Sequence, residues 1–271
     1  MAIIYGPVPS WRLGRSLGID LLNTRSKICS FNCVYCQLGE TSRLVTEPTE
    51  FIGLEELGRE LRSMQPIEAD FATFSGMGEP TLAANLGEAI DLARPILSLP
   101  IAVLTNCSLM FRQDVRQRLA GADVVVAKLD APNEEVFSLV NRPATSLSFS
   151  LILDGMRRFR DTFRGKLALQ IMFVKANEAN AGDIADLAHS LSPDEVQINT
   201  PLRPCNAHPL PPDHLARIQA EFRNLARVVN VYEASIPEAS PLDPAETLRR
   251  RPDTDSKASG SPWQPLLKQE L

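Results

Sequence analysis

Short runs of Val, Ile, Leu and Phe recur along the chain, separated by stretches whose apolar residues follow helical spacing. Each run ends in polar or turn-forming residues, which is typical of buried strands in a parallel sheet. We predict six such strands, at residues 17–22, 70–75, 101–105, 123–129, 167–174 and 195–199. Residues 228–232 are predicted to add a strand at the edge.

The segments between these strands predict helices, since their apolar residues fall on one face. The predicted helices are 53–64, 82–97, 112–119, 131–140, 147–160, 180–191 and 212–225. Alternating strands and helices indicate a parallel sheet with crossover helices. A full eight-fold barrel takes about 250 residues, and this chain reaches its last predicted helix too early for that. We therefore expect an α/β fold of the incomplete-barrel type.

Composition divides the chain into two parts. Hydrophobic residues make up 44% of the 271 residues, which supports one sizeable core. We predict a core domain at residues 1–235 and a C-terminal extension at 236–271. Prolines and polar residues dominate the extension, so we expect it to be flexible or weakly ordered.

The charge and hydropathy patterns exclude some classes of protein. A net charge of −5 argues against a broadly basic nucleic-acid-binding protein, although one face can still be basic. No apolar run is long enough to span a membrane, and residues 1–12 lack the layout of a signal peptide. We therefore expect a cytoplasmic protein with no membrane partner.

Three of the five cysteines lie within eight residues, in the segment Cys29-Ser-Phe-Asn-Cys33-Val-Tyr-Cys36. Iron–sulfur cubes are usually held by four cysteines, so three thiolates would leave one iron of a [4Fe–4S] cluster open to a substrate or cofactor. The alternative is structural zinc, which needs four ligands. A fourth zinc ligand would have to come from the distant cysteines and histidines, which are Cys107, Cys205, His189, His208 and His214.

A second motif, Ser75-Gly76-Met77-Gly78-Glu79-Pro80, lies between the second predicted strand and the helix after it. The glycines allow a ligand to approach the backbone closely, and Glu79 supplies a carboxylate. Together they suit an ammonium group. Such a pattern alone is more often a simple turn, but its position one strand beyond the cysteines favours a ligand site.

The two motifs together resemble the radical S-adenosylmethionine (SAM) superfamily. The Cys-x3-Cys-x2-Cys spacing carries an aromatic residue, Tyr35, before its last cysteine, and the resemblance covers about residues 5–235. It implies a partial (β/α)6 barrel with a [4Fe–4S] cluster on Cys29, Cys33 and Cys36. It further implies that the amino and carboxylate groups of SAM bind the open iron and that a flavodoxin or ferredoxin type of reductant drives SAM cleavage. The resulting 5′-deoxyadenosyl radical would abstract hydrogen from a substrate.

The resemblance also identifies candidate SAM contacts. Polar residues at the carboxyl ends of strands face the site of a barrel, although polar residues end most strands for other reasons too. Tyr35 is expected to stack on the adenine or hydrogen-bond to it, unless it is simply a packing aromatic. The complete set of expected cofactor contacts is Tyr35, Gly76, Gly78, Glu79, Asn106, Asp130 and Asn199.

One branch of the superfamily looks most similar. The segments 129–132 (Leu-Asp-Ala-Pro) and 141–143 (Asn-Arg-Pro) resemble the wyosine-type enzymes, which implies a tRNA base as one candidate substrate. Wyosine synthases carry additional cysteines upstream for a second cluster, whereas this chain has none before Cys29. An alternative hypothesis is a non-catalytic iron–sulfur protein of the same fold that acts as an RNA-binding or maturation partner.

Several other residues have weaker functional interpretations. Lys128 and Lys175 are candidates for substrate contact, because a lysine of lowered pKa can form a Schiff base with a keto acid. Basic residues cluster at 157–166 and 249–251, and they predict either phosphate contacts or solvated surfaces. Cys107 and Cys205 are more typical of buried small residues than of ligands.

Overall fold

The structure is a computed structural model that describes residues 1–252. Its eight strands form one sheet in sequence order. Strand β1 pairs antiparallel with β2, and β2 to β8 are all parallel. The strands are β1 (Ile4–Ser10), β2 (Gly14–Ile19), β3 (Phe71–Phe74), β4 (Ile101–Thr105), β5 (Val124–Lys128), β6 (Lys166–Met172), β7 (Glu195–Asn199) and β8 (Val228–Asn230). The sheet is a curled, open half-barrel, which confirms the predicted fold class.

Crossover helices connect the parallel strands. The helices are α1 (Leu54–Ser63), α2 (Leu86–Leu97), α3 (Gln113–Leu119), α4 (Glu134–Val140), α5 (Phe149–Thr162), α6 (Ala181–Leu191), α7 (Pro212–Glu221) and α8 (Pro244–Arg250). The predicted helix 82–97 is shorter in the structure, because residues Pro80–Leu82 form a separate 3-10 turn. The residues just before α2 therefore belong to the same loop as the glycine motif.

Strand β1 was not predicted from the sequence. Gly6 and Pro7 interrupt its apolar pattern, and the pairing with β2 shifts register between Tyr5 and Val8. Proline is tolerated in a strand only at edges and irregularities, and β1 is an edge. The ring of Tyr5 lies over Gly18, where an added Cβ would come within 2.1 Å of the ring. A close ring-to-backbone contact of this kind leaves no periodic signal in the sequence.

Helix α8 lies within the predicted C-terminal extension and packs on β1. The amide of Leu242 donates to the carbonyl of Gly6 at 2.6 Å, and the amide of Gly6 donates to the hydroxyl of Thr247 at 3.0 Å. Arg250 is fully buried. Residues 244–250 are therefore ordered against the barrel. The domain boundary at residue 235 stays a prediction, and residues 253–271 lie outside the described part of the chain.

Apolar side chains cover both faces of the sheet. The main core packs the outer face against the helices. A smaller cluster fills one part of the inner face and contains Leu13, Ala102, Val124, Val126 and Ala168. The rest of the inner face carries polar residues, and that is where the site lies. Among residues 1–252, no helix has both the length and the apolar character needed to cross a membrane.

Candidate active site

Two backbone hydrogen bonds join the cysteine segment to the glycine motif. The amide of Ile28 donates to the carbonyl of Met77 at 2.9 Å, and the amide of Glu79 donates to the carbonyl of Ile28 at 3.1 Å. Ile28 and Gly78 thus form a short parallel bridge. Because Cys29 follows Ile28 directly, the first thiol is positioned by the glycine motif.

Close packing explains both glycines of the motif. A Cβ on Gly78 would lie 1.5 Å from the carbonyl oxygen of Ile28, and a Cβ on Gly76 would lie 2.1 Å from Cγ of Asp20. Any side chain at either position would push the cysteine segment or the end of β2 away. The glycines are therefore required by contacts within the protein, whether or not they also face a ligand.

The three thiols of the cysteine segment line a single cavity of about 490 Å³ inside the half-barrel. Cys29 is buried, and Cys33 and Cys36 are half-buried. Burial raises the pKa of the Cys29 thiol to about 12 and also raises the pKa of Cys33. Metal binding needs thiolates, so binding of iron at these positions would release protons and depend on pH.

Two asparagine side chains donate to these sulfurs. Asn106 Nδ2 lies 3.5 Å from Cys29 Sγ, and Asn141 Nδ2 lies 3.6 Å from Cys33 Sγ. Hydrogen bonds to ligating sulfurs orient them and tune the potential of an iron–sulfur cluster. Within residues 1–252 no three His, Cys, Asp or Glu side chains are arranged to hold one metal ion. In a [4Fe–4S] cube each cysteine would bind a different iron, which three separate thiols in the wall of one cavity can do.

Glu79 is almost fully buried in the wall of the cavity, with both carboxylate oxygens already engaged. One oxygen accepts hydrogen bonds from the hydroxyls of Thr81 and Thr105 at 2.7 and 2.6 Å, and the other accepts from the amide of Asn106 at 2.7 Å. Burial raises the pKa of Glu79, and these hydrogen bonds oppose that shift. The carboxylate therefore joins the glycine motif to the end of β4.

Asp130 lies behind the cavity wall. Its carboxylate accepts hydrogen bonds from the hydroxyl of Tyr35, from Asn141 Nδ2 at 2.8 Å and from the amide of Met172 at 2.8 Å. Asp130 contributes to a smaller neighbouring cavity, whereas Tyr35 lines the main one. Burial, together with the charge of Asp130, raises the pKa of Tyr35. Asp130 thus orients the residues beside the thiols.

The structure brings most of the predicted cofactor contacts together. Those that line the main cavity are Tyr35, Gly76, Gly78, Glu79, Asn106 and Asn199. Lys128 also lines it, with its ammonium 4.9 Å from the centre of the Tyr35 ring. Lys175 is instead exposed and pairs with Glu178 at 2.9 Å. The roles of these residues toward a cofactor stay predictions.

Asp20 and Asn141 are two site residues that the sequence analysis missed. Asp20 follows β2 and accepts a hydrogen bond from the amide of Met77 at 3.2 Å. Its position at a strand end was an available signal of the kind that picked out Asn106. For Asn141, which lies in the loop after α4, only the resemblance of segment 141–143 drew attention to the region.

Comparison with known proteins identifies the family. The profile described as the radical SAM superfamily matches residues 23–188, which include both motifs. The chain belongs to the radical SAM superfamily. A UPF0026 protein of Synechocystis sp. is 41% identical over 202 residues, covering 74% of this chain and 76% of that protein. A UPF0026 protein of Methanocaldococcus jannaschii is 37% identical over 211 residues, covering 75% of this chain and 65% of that protein.

A solved radical SAM structure shows the same fold. The crystal structure of Streptococcus suis SuiB bound to S-adenosylmethionine superimposes with a TM-score of 0.59 at 13% identity, covering 78% of this chain and half of that one. As a member of this superfamily, the chain is a radical SAM enzyme that uses SAM and a [4Fe–4S] cluster.

Proposed function

We propose that Cys29, Cys33 and Cys36 hold the cluster, and that SAM binds in the cavity beside them for hydrogen abstraction from a substrate. The observation that carries this proposal is the direct joining of the two motifs. The bridge between Ile28 and Gly78 places the first thiol and the glycine motif in the wall of one cavity. When bound, the cluster and SAM supply a one-electron cleavage that yields methionine and a 5′-deoxyadenosyl radical.

The residues around the thiols would prepare this site for the cofactors. Asn106 and Asn141 donate to sulfurs, which orients the thiols and favours their thiolate forms. Asn141 is in turn held by Asp130. Because Asn106, Asn141 and Asp130 are buried, the hydrogen bonds that they make are strengthened.

For SAM itself we propose contacts from the glycine motif, Glu79, Tyr35 and Asn199. Carboxylate oxygens accept about two hydrogen bonds each. The Glu79 oxygen that faces Asn106 accepts one bond from the protein, which leaves capacity for a donor such as an ammonium group. The other oxygen takes bonds from Thr81 and Thr105 and is saturated.

Electron supply and the substrate are finer parts of the proposal. We propose a flavodoxin or ferredoxin type of reductant, which the resemblance of the two motifs to the radical SAM superfamily implies. A tRNA substrate, and with it a wyosine-like reaction, stays a prediction from local motifs. The basic cluster on α5 gives it little support, because Arg158 and Arg160 pair with Asp154 and Asp194 at 2.9 and 3.0 Å.

The test compares cysteines inside and outside the motif. Wild-type protein and the control Cys205→Ala should each hold about four irons per chain after anaerobic reconstitution. With dithionite and SAM both should release 5′-deoxyadenosine. Cys29→Ala, Cys33→Ala and Cys36→Ala should lose both properties, and retention of iron and cleavage in these three variants would overturn the proposal.

Two other outcomes identify the alternatives. A stable cluster with no SAM cleavage under a competent reductant would favour the non-catalytic RNA-binding or maturation role. One equivalent of zinc and no iron in anaerobically purified protein would favour the structural zinc site.

A further inference from the structure

The wall of the main cavity is strongly positive although the chain as a whole is acidic. The net charge of the protein is −5. The described residues that line the cavity include one acidic side chain, Glu79, whose oxygens are engaged by the protein. The cationic side chains in the same wall are Arg12, Lys27, Lys128, Arg203 and Arg251. Positive charge is therefore concentrated inside the half-barrel.

Three of these cations, Arg12, Arg203 and Arg251, form what we call the arginine cluster. They come from the turn between β1 and β2, the loop after β7 and the residue after α8. Burial lowers the pKa of Arg12, and the charges of Arg251 and Arg203 lower it further. The guanidinium groups of Arg203 and Arg251 are thus close enough to repel that of Arg12.

Arg12 is the most informative member of the cluster. Its guanidinium lies 5.3 Å from the centre of the Trp11 ring, and its Nε is buried with no hydrogen-bond partner among the described residues. A buried donor without a partner destabilises the folded protein, and more so when the group is charged. Such a group is expected where a ligand completes the hydrogen bonds.

Arg251 is held in place by the residue before it. Arg250 is fully buried and its Nε donates to Asp20 at 2.8 Å. Arg251 then donates to the hydroxyl of Ser75 at 3.4 Å, and Ser75 is a neutral residue at the start of the glycine motif. The cluster therefore adjoins the part of the cavity where the proposed SAM site lies.

Two arginines outside the cavity differ from Arg12, because each of them pairs with a carboxylate. Arg94 pairs with Asp123 at 3.0 Å, and Arg160 pairs with Asp194 at 3.0 Å. The proposed cofactors together would add little net charge to the cavity. Three thiolates on a [4Fe–4S]²⁺ core leave about one negative charge, which the sulfonium of SAM offsets. Arg12 Nε, which has no partner among residues 1–252, is therefore available to an anion from another molecule.

We propose that the arginine cluster binds a phosphate group of the substrate, and that the substrate is a small phosphorylated molecule. This inference rests on the proposed function, because it places the substrate beside the proposed SAM site. A guanidinium group stays protonated and can donate two parallel hydrogen bonds to phosphate oxygens. A phosphate dianion can offset the positive charge of more than one arginine. A cavity of about 490 Å³ lies in the range that holds small molecules. The paired arginines on α5 disfavour RNA.

The experiment is calorimetric titration of the cluster-loaded full chain, without reductant, at constant ionic strength. The probes are inorganic phosphate, succinate and a short RNA without terminal phosphates. Phosphate should bind to wild-type protein, and Arg12→Gln and Arg251→Gln should each weaken it about tenfold or more. Arg12→Lys should restore part of the affinity. Arg158→Gln on α5 is the matched control and should leave phosphate binding unchanged.

Several outcomes would overturn the inference. These are equal phosphate affinity in folded Arg12→Gln, Arg251→Gln and wild-type protein, succinate binding as tight as that of phosphate, or RNA binding that Arg158→Gln weakens. Circular dichroism of each variant identifies any that fail to fold, and either arginine variant alone is sufficient. Since the titration uses no reductant, phosphate binding without SAM cleavage contradicts only the proposed function. SAM cleavage without phosphate selectivity contradicts only this inference.

Discussion

The wall around the cysteines and the arginine cluster share one cavity but satisfy their polar groups in opposite ways. Beside the cysteines, Glu79 and Asp130 each accept several hydrogen bonds from the protein itself. In the arginine cluster, Arg203 and Arg251 repel Arg12, whose buried Nε has no partner among the described residues. The carboxylates of the first region are held by contacts within the protein, whereas Arg12 in the second region leaves a donor for the ligand that we propose. Stability is therefore expected to depend on the first region and specificity on the second.

Gly78→Ala should have the largest effect, because Gly78 forms the backbone bridge to Ile28 that connects the glycine motif to the cysteine segment. The new Cβ would lie 1.5 Å from the carbonyl oxygen of Ile28, so the backbone before Cys29 must move. We expect a stability loss of more than about 4 kcal/mol and no reconstituted cluster. Iron content and thermal unfolding measure both.

Gly87→Ala is the matched control for that prediction. Its Cβ would make an ordinary contact of 3.4 Å with Arg118, and alanine favours a helix. Wild-type iron content and stability are expected. A Gly78→Ala protein that binds a full cluster would show that the Ile28–Gly78 bridge is not needed to position the Cys29 thiol.

Arg250→Met should have the next largest effect, because it leaves the buried Asp20 without its cationic partner. Removing one partner of a buried ion pair costs about 3–5 kcal/mol. Asp20 keeps its hydrogen bonds from the amides of Leu22, Asn23 and Met77, so we expect the lower end, about 3 kcal/mol. Urea unfolding of cluster-free protein, followed by circular dichroism, measures it.

Arg249→Met serves as the comparison one residue earlier. Arg249 pairs with Glu246 at 3.0 Å and its side chain is partly exposed. A loss of about 1 kcal/mol is expected. Equal losses in the two variants would mean that α8 does not support the site through Asp20.

Arg12→Gln should have the smallest effect on stability, and an effect of the opposite sign. Glutamine removes the charge that Arg203 and Arg251 repel, and it removes the buried Nε donor, which has no partner within residues 1–252. We expect a gain of about 0.5–1 kcal/mol in the free energy of unfolding of ligand-free protein. Added phosphate should stabilise wild-type protein more than the variant. A clear loss of stability in Arg12→Gln would place this residue with the structural wall instead.

Part of the site could be predicted from sequence because its signals are local. The spacing of Cys29, Cys33 and Cys36 lies within one segment, and Gly76 to Glu79 follow a strand directly. The alternation of strands and helices predicted seven of the eight strands, with boundaries shifted by a few residues. Hydrophobic periodicity and short motifs are properties of contiguous residues, so the sequence is enough to detect them.

The sequence by itself determined the fold class and the superfamily, because strand–helix alternation and two short motifs carry both. Only the tertiary structure decided how distant residues combine. It placed Arg250 on Asp20, Asp130 behind Tyr35, and Arg12 beside Arg203 and Arg251. Charge pairing and burial depend on separation in space, and the fold brings together residues such as Asp20 and Arg250, which lie 230 positions apart in the sequence.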